Sequence, residues 1–71
     1  MHDDPQLRAF GERVRYLRDQ RGWSQEELAF RAELHRTYVS SVERGTRNIA
    51  LINICRLADA LGVNPATLMD F

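Results

Sequence analysis

The sequence predicts an all-α fold of five short helices. Three observations carry this. Apolar residues recur at steps of three and four in separate runs, the periodicity of helices with one buried face. The runs are punctuated by Gly22, Gly45 and Gly62, each placed where a helix would end. No useful length of chain alternates with the two-residue period of a half-buried strand.

The elements follow in order. Leu7, Phe10, Val14 and Leu17 form the stripe of helix one, which ends before Gly22 with Arg18 and Arg21 in its last turn, where cations suit the helix dipole. "WSQEEL" restarts the chain: Ser24 and Glu27 have capping-box spacing, and Trp23 with Leu28 forms a hydrophobic staple. Helix two runs to about Ala32, with Leu28, Ala29 and Ala32 inward. "ELH" allows only a tight turn, so helix three crosses helix two steeply. Helix three spans 36–44, stapled by Leu34 and Val39 and closed by Gly45, with His35 as a mediocre cap. After the loop "TRNIA", Leu51, Ile54, Leu57, Ala58 and Leu61 give helix four its stripe. Asn64 and Pro65 then cap and open helix five, with Val63 and Leu68 as a third staple.

Seventy-one residues make one domain, 1–71, with 7–71 its structured part and 1–5 expected as a flexible N-terminal end. The single cysteine, Cys55, excludes an internal disulfide and a thiolate zinc cluster, and its place beside the stripe of helix four suggests a buried, inert thiol. His2 and His35 lack close ligand partners, so no metal site is expected; nothing in the chain asks for a cofactor. His35, Ser40, Ser41 and Cys55 do not supply a nucleophile, base and orienter, so no catalytic residues are expected and an enzyme is not. No apolar run reaches membrane-spanning length and "MHDDPQLR" is too acidic to open a signal peptide, so a soluble cytoplasmic protein is expected, with no membrane partner.

The formal charge is zero, but its distribution is uneven. All ten basic residues are Arg; nine lie between Arg8 and Arg47 against six acids there, a surplus of three positive charges. The unusual stretch is "LHRTYVSSVERGTRNI". At about 100° per residue, Arg36, Thr37, Ser40, Ser41 and Arg44 fall within an arc of roughly 140°, while Val39 and Val42 point away. A solvated face is the bland explanation of such an arc. A face of guanidiniums and hydroxyls also suits the DNA major groove: Arg pairs bidentately with guanine, Thr touches thymine methyls, and Ser bonds base or phosphate. The preceding capped helix and tight turn favour the groove.

Ser24 to Leu61 resembles the helix-turn-helix domain of phage repressors, Cro proteins and XRE-type regulators, through "RGWSQEELAFRA", "VERGTRN" and "RLADALGV". More narrowly, "LHRTYVSSVERGTRNI" resembles the restriction–modification controller proteins. The resemblance implies a lambda-repressor-like five-helix DNA-binding domain acting as a transcriptional regulator. It implies phosphate contacts from Ser24, Gln25, Arg44, Arg47 and Asn48. Base reading falls to Arg36, Thr37, Ser40 and Ser41, with Tyr38 beside them. It also implies an ion pair between Arg18 and Glu43, and the wheel puts Glu43 at the edge of the apolar arc. His35 and Ala50 depart from the family's usual caps, so the starts of helices three and four are less defined.

Ile52, Met69 and Phe71 are apolar residues left over once the stripes are assigned to the core. They are expected to join two copies through helix five and the adjacent edge of helix four, giving a symmetric homodimer on a near-palindromic double-stranded DNA site. The competing reading is an antitoxin-like interaction module, with DNA binding secondary to an unidentified protein partner.

Overall fold

The computed structural model describes residues 4–71. Among them are five helices: α1 (Pro5–Gln20), α2 (Gln25–Ala32), α3 (Arg36–Glu43), α4 (Leu51–Leu61) and α5 (Pro65–Leu68). The expected flexible N-terminal end falls partly outside these residues, as does His2. Within them the expectation fails at Asp4 and Pro5. The Asp4 carboxylate accepts from the Gln6 amide at 2.9 Å, and Pro5 opens α1 where its missing N–H costs nothing.

The apolar stripes meet in one core of Phe10, Val14, Leu17, Leu28, Ala29, Ala32, Val39, Val42, Leu57, Ala58, Leu61 and Leu68. Trp23, Leu34 and Val63, the outer members of the three staples, pack against it. Leu51 is a correction: it is three-quarters exposed and lies off the core stripe that starts in earnest at Ile54. Cys55 is a second. Its thiol is exposed, because the residues buried beside it are Leu57 and Ala58, and Cys55 with Arg56 falls on the outer side of α4.

α3 is set against the body of the domain by two glycines of the chain. A Cβ on Gly11 would run into the carbonyl oxygens of Val42 and Glu43, so only glycine lets α1 lie this close to the end of α3. Gly45, at φ +72°, turns the chain out of α3 and lies against the Arg8 backbone, where a Cβ would come within 2.7 Å of Cα. The link between α2 and α3 turns through Glu33 in the left-handed region, at φ 59°. The Leu34 amide bonds back to the Ala29 carbonyl at 2.8 Å, which fixes that turn. Among the described residues no helix is long and apolar enough to cross a membrane.

Candidate nucleic-acid interface

The helix pair α2 and α3 is held by one buried carboxylate. Glu43 receives Arg18 Nε at 2.7 Å and Arg18 Nη2 at 3.0 Å, a bidentate ion pair with both residues buried. It also receives Gln25 Nε2 at 3.0 Å. Arg18 spends its remaining reach on the Trp23 carbonyl, at 2.7 Å. A single cluster thus ties the end of α1, the start of α2 and the end of α3. The hydrogen bonds to Glu43 raise the Arg18 pKa above its ordinary value, burial opposes that shift, and the charges of Glu43 and Asp19 add to it.

At the start of α2 the Ser24 hydroxyl accepts from the Glu27 amide at 3.0 Å, one half of the expected capping box. The Glu27 carboxylate turns away to accept from Arg31 Nε at 2.6 Å. Arg31 in turn lies 4.2 Å from the centroid of the Trp23 ring. The first amides of any helix lack partners within it, an arrangement suited to a phosphate. Ser24 is exposed at the start of α2, while Gln25 is half-buried by its bond to Glu43.

Along α3, Val39 and Val42 are buried as the wheel expected, and Arg36, Thr37 and Arg44 are exposed. Arg44 Nη1 donates to Ser40 Oγ at 2.6 Å, which steers the guanidinium back along the helix face. Ser41 does not join them. It is buried, its hydroxyl donates to the Tyr38 carbonyl at 2.8 Å, and it accepts from Arg47 Nε at 3.2 Å. The loop after Gly45 folds over it, with the Thr46 hydroxyl on the Ser41 carbonyl at 3.1 Å. Tyr38 is half-buried, and its hydroxyl accepts from Asn53 Nδ2 of α4 at 3.0 Å. Arg47 and Asn48 are exposed in the loop. The structure therefore gathers Arg36, Thr37, half-buried Ser40 and Arg44 on one face of α3, with Ser24 exposed at the start of α2 and Arg47 and Asn48 exposed in the loop that follows α3. Asn53 is a participant that periodicity could not flag, since α4 also carries Arg56 and Asp59 and nothing in the spacing sets Asn53 apart from them.

His35 and Ala50 precede α3 and α4 without a side-chain cap bond, in keeping with the weak capping expected of both. Among the described residues no group of three His, Cys, Asp or Glu is placed to hold a metal ion.

The helix-turn-helix family model matches residues 14–68, most of the chain and all of α2 and α3. The chain belongs to the helix-turn-helix family. Within that family it is 54% identical over 63 residues to the control protein C.BamHI of Bacillus amyloliquefaciens, covering 87% of this chain and 78% of that one. The crystal structure of the restriction–modification controller protein C.AhdI from Aeromonas hydrophila superposes with a TM-score of 0.86 at 53% identity, covering 87% of this chain and 94% of that one. The controller protein C.Esp1396I, solved as a tetramer in complex with its natural 35 base-pair operator, is more distant at 26% identity. Its TM-score is 0.87, over 96% of this chain and 90% of that one. Helix-turn-helix membership thus rests on a match that includes the whole candidate interface.

Proposed function

We propose that this helix-turn-helix chain is a sequence-specific double-stranded DNA-binding transcriptional regulator. It works in the cytoplasm as a symmetric homodimer on a near-palindromic operator, in the manner of a restriction–modification controller protein. It acts by binding, with no catalytic step of its own. The observation that carries the reading is the α3 face of exposed Arg36, Thr37 and Arg44 with half-buried Ser40, on a helix tied to α1 and α2 by the Arg18–Glu43–Gln25 cluster. That C.Esp1396I, with the same fold, was solved on its operator supports it. An antitoxin-like role is not favoured, since the relatives it resembles are control proteins.

In this reading α3 enters the major groove with its N-terminal residues on base edges. Arg36 has the reach and fork geometry for a bidentate guanine contact, and Thr37 offers a methyl to thymine. Ser40 lines the same face. Ser24, the α2 N-terminus, Arg44, Arg47 and Asn48 grip phosphates, fixing register without reading sequence. Tyr38 and Ser41 serve from behind this surface.

The test separates the two kinds of contact. A cognate duplex is first selected from a random DNA pool, and binding is then followed across a salt series on that duplex and on a scrambled one. Arg36→Ala is expected to cost about 1–3 kcal/mol on the cognate site and to relax preference at one base pair per half-site. Arg47→Ala is expected to weaken both duplexes alike and to reduce the salt slope by about 1. Intact sequence preference in Arg36→Ala would overturn the assignment of α3 as the reading helix.

A further inference from the structure

An arginine in a surface loop ordinarily samples many rotamers, and a phosphate contact must first collect them into one. Arg47 has already been collected. Its guanidinium carbon lies 5.1 Å from the centroid of the Tyr38 ring, within cation–π range, and its Nε donates to Ser41 Oγ at 3.2 Å. The ring that carries it is fixed at its far end, where the Tyr38 hydroxyl accepts from Asn53 Nδ2 at 3.0 Å. Asn53 sits in the first turn of α4, so the brace reaches from α4 through a ring of α3 to a loop cation between them.

We infer that Asn53 and Tyr38 are positioning residues that pre-order Arg47 for the DNA backbone. The inference rests on the DNA-binding reading above. A ring anchored only by its own helix could pivot about χ1 and χ2 and carry the cation with it. The Asn53 bond removes that freedom, so the ordering of Arg47 is settled at folding and the loss of freedom on binding DNA is smaller. The brace has no sequence preference of its own, because Arg47 addresses phosphate. Its effect therefore appears on any duplex.

The probe is the cognate duplex selected as above, bound by the wild-type protein and by Asn53→Ala, Arg47→Ala and the double variant. Asn53→Ala is expected to weaken binding by about two- to fivefold, the size of an exposed cation–π contact, and to have no further effect once Arg47 is alanine. Tyr38→Phe, which keeps the ring and frees it from Asn53, is expected to match Asn53→Ala. It serves as the second variant should the first not fold. In the free protein the Arg47 Nε–H resonance is expected upfield of its ordinary position because of the Tyr38 ring, and to return toward that position in either variant. Equal losses with and without Arg47, no loss at all, or an unshifted wild-type resonance would overturn the brace while leaving DNA binding in place. Failure of the wild-type protein to bind the duplex would sink the DNA reading and the brace together.

Discussion

At the scale of single residues, the carboxylate of Glu43 ties three helices together. It accepts from two nitrogens of Arg18 and one of Gln25, and it is 8% exposed. Removing it strands a buried guanidinium, which typically costs about 3–5 kcal/mol. Glu27 offers the contrast, since its pair with Arg31 is half-exposed and worth at most ~1 kcal/mol. Denaturant unfolding is therefore expected to show Glu43→Ala far less stable than Glu27→Ala; similar small losses would mean that the cluster does not lock α3. The Arg18–Glu43 pair was legible only through the family resemblance, because periodicity alone left Glu43 at the edge of an arc. Gln25 was not legible as a partner, since a residue opening a helix reads as a solvent-facing one. Ser41, expected on the open face, is buried for a similar reason. A helical wheel knows nothing of the loop that follows the helix, and here that loop covers Ser41 and turns its hydroxyl inward.

At the scale of elements, the five helices and their order could be read because stripes, caps and glycines agree with one another. Where structure and expectation differ, the local signal is weak or competes with a stronger one. Asp4–Pro5 is a cap and first-turn proline that the expected flexible end obscured. The caps also differ in quality. Asp4, Ser24 and Asn64 each accept a backbone N–H with the side chain, whereas His35 and Ala50 do not. α3 therefore begins without side-chain help and depends on the Leu34–Ala29 turn and the core to hold its first residues. His35→Ser supplies the missing acceptor without touching the buried face. It is expected to stabilise the protein by about 1 kcal/mol, raising Tm by about 4–8 °C for a chain of this size. Thermal melting followed by circular dichroism checks this, and an unchanged Tm would show that the α3 N-terminus is already satisfied.

At the scale of the whole molecule, the question is what becomes of the apolar surface outside the core. Ile52, Met69 and Phe71 are 60%, 50% and 57% exposed, and Leu51 adds to the same helix edge at 75%. Met69 and Phe71 also border an open cavity of about 410 Å³ lined mainly by Leu7, Phe10, Ile49 and Ile54, with Gln6 and Asn48 as its polar members, so the apolar surface at the C-terminal end continues inward. Scattered exposed hydrophobes are common on monomers, but a chain of 71 residues has little stability to set against such a surface. Covering it with a second copy would bury both surfaces at once, and in the proposed dimer the two-fold axis has to set the two α3 faces about 34 Å apart to meet successive major grooves. Phe30, 80% exposed on α2, lies outside this set and has no part in the proposed dimer. If the dimer forms as proposed, stability is linked to concentration, and Tm rises as protein is added. Ile52→Asp and Phe71→Asp place charge on the axis and are expected to give monomers by sedimentation at concentrations where the wild type is dimeric. They should also weaken operator binding more than binding to a single half-site, because only the operator needs both copies. A wild-type protein that sediments as a monomer at high concentration, with and without DNA, would remove the second copy from the mechanism and leave each α3 to read its half-site alone.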